Sequence, residues 1–319
     1  MQIEIIGAES LGVRGLCCLV EAGARKILID PGIALGFVRN GLAPHPAQVA
    51  VDEAIREHIK KAWQLATDIV FSHYHGDHVP LVDANPYQLN VSEVTGLNPG
   101  VRIWAKAPED LSAKELSRSS ALKASLGAQW HEGHLGRGSF VFSMPVPHGE
   151  KTEPGEKVIM TRIEDHTVFV HASDIQLLDD ETVDFILEWK PDIVLAGGPP
   201  LYLKRLSSEQ RTRAWKNALR LANSLRTLIL DHHLLRNEEG LEWLRGLCLE
   251  SGRKVVCAAD FMGKPRLLLE SERKALYDEM PVPSDWHQAY GEEKTTTRGF
   301  HKFMPGHVVK HGGGTEFGS

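Results

Sequence analysis

The sequence predicts an α/β fold, an αββα sandwich of two packed mixed β-sheets flanked by helices. Three observations lead there. The first half is rich in short apolar runs of strand length, the second half alternates strand-like runs with helical periods, and amphipathic helices of that kind cover the outside of packed sheets. The elements are expected in order. Strands at 3–6, 16–20 and 26–30 form hairpin-like pieces at the start. A helix over 49–66 follows from Val51, Ile55, Ile59, Ala62 and Leu65, which recur near a 3.6-residue period, while Asp52, Glu53, Arg56, Glu57, Lys60 and Lys61 read as its solvated face. A strand runs over 68–72, and a helix over 112–126 opens on Ser112-Ala113-Lys114-Glu115, a capping-box pattern. Apolar stretches at 140–147 and 167–173 read as strands. Beyond residue 174 the expected order is helix 180–189, strand 192–196, helix 208–225, strand 227–230, helix 238–251, strand 254–258 and helix 265–280.

With no repeat or Pro/Gly-rich linker to divide the chain, residues 1–290 are expected to form one domain. Helical insertions fall at about 36–66 and 108–127, and residues 291–319 read as a flexible tail. The 319 residues carry a formal charge of −6 and a sequence pI of about 6.2, so the chain has no overall basic footprint for nucleic acid, although a local basic cleft stays open. Cys17, Cys18, Cys248 and Cys257 show no metal-ligand spacing, which fits a reducing cytoplasm. The N-terminus enters a strand-like alternation directly, and no apolar run approaches membrane-spanning length. A cytoplasmic protein without a membrane partner is expected; a small molecule is the expected ligand, with nucleic acid and self-association into a homo-oligomer left open.

The densest chemical signal is His73-Tyr74-His75-Gly76-Asp77-His78, three imidazoles and a carboxylate directly after the apolar run Asp68-Ile69-Val70-Phe71-Ser72. Histidines two apart on an extended backbone project to one side, so His73 and His75 can grip one ion. A turn eased by Gly76 can send Asp77 and His78 toward another. Without a Cys ligand the set suits zinc, iron or manganese rather than a thiolate-bound structural zinc. His148, Asp174 and His232 repeat the same placement, each a donor that closes an apolar β-run. Taken singly, each also reads as a loop histidine, a capping aspartate or a core histidine.

This arrangement resembles the metallo-β-lactamase superfamily, in order along most of the chain. The five motifs of that family look like Asp30 in Ile27-Leu28-Ile29-Asp30-Pro31-Gly32, the segment 73–78, His148, Asp174 and His232. The flanking stretches are most similar to an uncharacterised branch of predicted metal-dependent hydrolases. The resemblance implies that His73, His75 and His148 hold a first metal, that Asp77, His78 and His232 hold a second, and that Asp174 bridges them. Asp30 would hydrogen-bond the signature loop from outside the metal ligands. Two departures stand out: Ala-Ser-Asp replaces the usual Gly-Asp at Asp174, and His233 competes with His232. His232 is preferred as the first residue past Leu230-Asp231, with His233 pointing off the site or behind the ligands.

Two divalent ions, zinc first and iron or manganese next, would share a hydroxide and stabilise charge on attacking and leaving oxygens, with Asp77 and Asp174 as the catalytic carboxylates. Hydrolysis of a phosphodiester or cyclic phosphate is the leading expectation, and a lactone or thioester the next. Arg14 and Arg236 are candidate clamps for an anionic substrate, against the alternative that they pair with Glu9 or Glu238. The same donors would suit a di-iron or mono-iron redox enzyme acting on oxygen, NO or persulfide, and RNA-processing nucleases share the resemblance.

Overall fold

The computed structural model describes residues 1–132, 138–150 and 157–303, which form a mixed α/β fold with two six-stranded mixed sheets. In the first, β1 (Gln2–Gly7), β2 (Cys17–Ala22) and β3 (Arg25–Ile29) make an antiparallel meander. Helix α1 (Pro46–Leu65) then returns the chain so that β4 (Asp68–Phe71) lies parallel to β3, and β5 (Arg102–Ala105) and β6 (Gln129–Glu132) continue in parallel, separated by α2 (Ala113–Leu126). The second sheet repeats this plan. β7 (Phe140–Phe142) is set apart from the small antiparallel pair β8 (Val146–Pro147) and β9 (Lys157–Val158). β7, β10 (Thr161–Asp165) and β11 (Thr167–Ser173) pair antiparallel. Parallel strands β12 (Ile193–Ala196), β13 (Thr227–Leu230) and β14 (Val255–Val256) follow, joined through α3 (Asp180–Glu188), α4 (Ser208–Ser224) and α5 (Glu239–Ser251).

The period of two along each strand explains the layering. Cys18 and Val20, Ile27 and Ile29, and Val70 enter one core with Phe169, Val170, Leu195 and Leu228 of the second sheet. Their neighbours Cys17, Leu19, Leu28, Ile69 and Phe71 face the other way, onto Val51, Ile55, Ile59 and Trp63 of α1. The two sheets therefore pack against each other. Helices α3 and α4 add Val183, Ile186, Ala214, Ala218 and Leu221 to the core of the second sheet.

Three sequence expectations change. The single helix over 265–280 is absent; the chain forms α6 (Ala258–Phe261), an irregular stretch and α7 (Arg273–Glu279). Leu267 instead forms a bridge with Leu11, its backbone N–H donating to Ser10 O at 2.8 Å, so the chain pairs with the loop after β1 where the helix is expected to start. Asp52 is buried under an ion pair with Arg56 rather than solvated, and burial pushes its carboxyl up to about 6. Residues 292–303, read as the start of a flexible tail, follow α8 (Trp286–Gly291) onto α1, where Thr297 Oγ1 and Tyr290 OH donate to the two oxygens of Glu53 at 2.6 and 2.9 Å. The rest of that expected tail, 304–319, lies outside the described residues.

Candidate metal centre

Strand ends from both sheets and from the β8–β9 pair meet in one place. Asp30 follows β3, residues 73–78 follow β4, His148 follows β8, Asp174 follows β11, and His232 and His233 follow β13. All seven expected ligands, together with Asp30 and His233, fall into overlapping groups whose donor atoms lie within 4.8 Å of one another: His73, His75 and Asp174; Asp77, His78 and His232; His148, Asp174 and His233; and Asp30, His73 and His78. Gly15, at φ +129°, and Gly32 make this crowding feasible. A Cβ on Gly15 would stand 2.5 Å from Asp77 O, and one on Gly32 would stand 2.2 Å from Val79 N. Gly76 supplies room beside Leu81 and Gln88; its φ is not left-handed.

Asp174 sits at the centre with its two oxygens divided. Oδ2 lies 3.4 Å from His73 Nε2, 3.9 Å from His75 Nδ1 and 3.3 Å from His233 Nε2; Oδ1 lies 2.9 Å from His78 Nε2 and 3.4 Å from His232 Nε2. His73 Nε2 and His75 Nδ1 face each other at 3.0 Å. Yet His78 Nε2, Asp174 Oδ1 and both nitrogens of His233 are buried without a hydrogen-bond partner, because these close atoms converge on common points instead of aligning donor to acceptor. Each such orphan costs about 1–3 kcal/mol. A cation at the points of convergence would satisfy His78 Nε2, Asp174 Oδ1 and one nitrogen of His233, so the donor set fits one.

Charge within the cluster follows from burial and from these neighbours. Burial pushes His73 down to about 4, aided by His78, and holds His233 at about 4. Asp77 and Asp174 pay the same desolvation, but the surrounding histidines outweigh it and keep both carboxyls well below the usual range. His78 goes the other way: burial opposes its charge, while Asp174 and Asp30 on its two nitrogens raise it well above an ordinary histidine.

Asp30 is the anchor behind the ligands. Fully buried, it accepts from Ser72 N at 2.8 Å, from Ser72 Oγ and Ser173 Oγ at 2.7 Å each, and from His78 Nδ1 at 2.9 Å. That last bond leaves Nε2 of His78 aimed at Asp174, the orientation a ligating imidazole needs. Asp30 and Ser173 both have left-handed backbones, at φ +48° and +51°, a local strain of about 1–3 kcal/mol each at the two strand ends that flank the cluster. The serine in Ala-Ser-Asp thus has a task of its own: it bridges Asp30 to the strand that carries Asp174.

His232 and His233 both enter the cluster, so the expectation that His233 points away is corrected. His233 approaches Asp174 and His148, and no hydrogen bond occupies either of its nitrogens. His232 is more engaged. Its Nδ1 accepts the Gly15 N–H at 3.1 Å, and its Nε2 lies 3.4 Å from Asp77 Oδ2. Asp231, beside it, accepts from Ser10 N, Ser10 Oγ and Ala258 N at 3.0, 2.5 and 2.8 Å, pinning the loop around residue 10 to the end of β13. His171 bonds Leu16 O at 2.9 Å within the sheet core.

Of the two candidate clamps, Arg14 is committed to Glu270 through a two-pronged ion pair at 2.6 and 2.5 Å, with Arg39 on the same carboxylate at 3.0 Å. Arg236 is buried, with Nη1 3.1 Å from Tyr202 OH, Nη2 3.5 Å from Asp77 Oδ2 and Nε 3.5 Å from Glu9 Oε2. Tyr202 lies in the loop 197–202 that the sequence offers as candidate lining, whereas sequence reasoning missed Glu270, Ser72 and Ser173; only the serines carried a local signal, each standing next to a ligand.

Fold and cluster define a class: an α/β protein with two mixed sheets and a buried His/Asp cluster that could hold metal. Among known proteins, the chain is 50% identical over 293 residues to a UPF0282 protein of Methanosarcina mazei, covering 91% of this chain and 96% of that protein. UPF0282 proteins of Methanopyrus kandleri and Pyrococcus abyssi are 35% and 31% identical over 88% and 96% of this chain, and over 100% and 99% of their own lengths. The chain belongs to the UPF0282 family, which spans archaea and is uncharacterised. No protein-family model matches the chain. Among the described residues, no helix is long and apolar enough to cross a membrane.

Proposed function

We propose that this protein is a metal-dependent hydrolase of the metallo-β-lactamase type, acting on a phosphodiester or cyclic phosphate first and on a lactone or thioester next. The observation that carries the reading is the division of Asp174 between two histidine sets, with buried nitrogens and oxygens converging unpaired on the space between them. These residues would hold a divalent ion, zinc foremost and iron or manganese next, which would supply a water of lowered pKa and stabilise charge on the substrate's oxygen. His73, His75 and Asp174, with His148 and His233 grouped on the same Asp174, would hold it, and Asp77, His78 and His232 would form a neighbouring cation position. Asp77 and Asp174 stay ionised at neutral pH, so they bind and bridge positive charge instead of carrying the proton. Asp30, with Ser72 and Ser173, fixes the His78 ring and so the distance between the two positions. A cytoplasmic location and a small-molecule substrate belong to the same proposal.

The test is a hydrolase screen of zinc- or manganese-reconstituted protein against phosphodiesters, cyclic nucleotides, lactones and thioesters. Turnover in at least one class should disappear with chelator and fall by orders of magnitude in Asp174→Asn. A preparation inert across all four classes, whose iron-loaded form consumes oxygen or reduces NO, would replace the hydrolase with a redox enzyme.

A further inference from the structure

Arg236 is a buried, permanent cation beside the donors of the second position. Its Nη2 stands 2.8 Å from His232 Nε2, 3.4 Å from His232 Nδ1 and 3.5 Å from Asp77 Oδ2. An atom on the Nε2 lone-pair axis would be much farther from Nδ1 than from Nε2, so this nearly even approach puts the guanidinium over the face of the ring. There it adds positive charge to two of the three donors. Apart from Asp77 itself, the compensating group at hand is weak: Glu9 Oε2 lies 3.5 Å from Arg236 Nε, and neither atom makes a hydrogen bond. Burial next to Glu270 pushes the Glu9 carboxyl up to about 8, so at neutral pH it is largely uncharged.

The tautomer of His232 points the same way. A neutral imidazole has one lone pair to offer and one N–H. Because Nδ1 accepts the Gly15 N–H, the proton is left on Nε2, the atom nearest Asp77 and Asp174 and the one an ion would have to meet. Metal-ligating histidines ordinarily donate from the outer nitrogen to an acceptor. At the first position, among the described residues, the hydrogen-bond partner of His73 Nε2 is His75 Nδ1, at 3.0 Å, and His233 keeps both nitrogens out of any hydrogen bond, so no cationic N–H reaches them.

We propose that Arg236 supplies the second positive charge of this centre, so that the chain holds one ion tightly, at His73, His75, His148, Asp174 and His233, and a second only weakly beside Asp77, His78 and His232. The inference rests on the metal-dependent reading of the site and departs from the expectation of two matched ions. An anionic oxygen of the substrate that a second ion would bind meets the N–H groups of Arg236 instead, with Tyr202 OH holding the other arm of the guanidinium in place.

Calorimetric zinc titration of the chelator-stripped full chain, with elemental analysis after dialysis, tests this. The wild type should bind one equivalent tightly and a second at least tenfold more weakly. Arg236→Gln and Arg236→Met should tighten the second equivalent at least tenfold, and Arg236→Lys, which keeps the charge, should not. Two equivalents of matching affinity in the wild type, or a second affinity unmoved in an Arg236→Gln protein that retains its circular dichroism, overturns the proposal. Asp77→Asn decides independently if the arginine variants fail to fold: it should leave the tightly held equivalent in place, and its loss there refutes the inference. Absence of any bound zinc defeats the metal reading itself, whereas two matched ions leave that reading standing and remove only the role given to Arg236.

Discussion

Replacing Asp30 by alanine tests whether the strand ends are built to hold a metal ligand. Four donors converge on its carboxylate: Ser72 N–H, Ser72 Oγ, Ser173 Oγ and His78 Nδ1. The two hydroxyls lie 2.7 Å apart and Ser72 Oγ lies 2.9 Å from His73 Nδ1, so both keep a partner after the change. Ser72 N–H and His78 Nδ1 are left buried and unpaired. At about 1–3 kcal/mol for each orphan, Asp30→Ala should lose about 2–6 kcal/mol of stability. Freed to rotate, His78 should also cost about 10- to 100-fold in metal affinity. Asp30→Asn keeps one oxygen for Ser72 N–H and tolerates the left-handed backbone, so it should lose less stability and a similar share of affinity. Guanidinium unfolding of the stripped protein and zinc titration of the folded variant read the two effects separately. A stability change within about 0.5 kcal/mol together with unaltered zinc affinity would refute the anchoring role.

His233→Ala should weaken the tightly held ion in a zinc titration while His232→Ala leaves it in place; the reverse pattern would return the last ligand to His232. In chelator-stripped protein, stability should fall as pH drops. Burial holds His73 and His233 at about 4 and His232 at about 3, so in each case the unfolded chain, with its histidines at 6.5, takes up the proton first. The stability these three contribute is full above about pH 6.5 and is lost progressively toward pH 4. A thermal midpoint that stays flat or rises as pH falls through that window contradicts this balance; the raised His78 changes stability only above about pH 6.5, because below it the folded and unfolded chains both carry its proton. Arg14→Ala should lower the unfolding midpoint by removing the two-pronged partner of the buried Glu270, at about 1–3 kcal/mol after allowance for the partial exposure of Arg14, with little change in KM. A large rise in KM at unchanged stability would restore Arg14 as a substrate clamp.

What could be read from the sequence was local. Apolar runs of four or five residues ending in a histidine or aspartate marked β4, β11 and β13 together with their ligands, because strand and donor are neighbours in the chain. The capping box at Ser112 and Glu115 fixed the start of α2, where both reciprocal bonds form. Residues whose roles depend on distant partners stayed hidden. Arg14 meets Glu270 across 256 positions, and Gly15 sets the tautomer of His232 across 217. β10 escaped notice because four of the five residues Thr161–Asp165 are polar, and β5 because Arg102–Ala105 is a run of only four residues, although both are interior to their sheets. The helix over 265–280 failed for a tertiary reason, since Leu267, near its expected start, is drawn into a bridge with Leu11, near the other end of the chain.

The central claim is that the convergence of histidines on Asp174 is a metal centre, and anomalous scattering at the zinc edge from crystals of zinc-reconstituted protein tests it most directly. The strongest peak should lie among His73 Nε2, His75 Nδ1, His148 and Asp174 Oδ2, at about 2.0–2.1 Å from the nitrogens. A cluster without a peak there, its ring nitrogens paired instead with water or with Asp174 in aligned hydrogen bonds, would contradict the account.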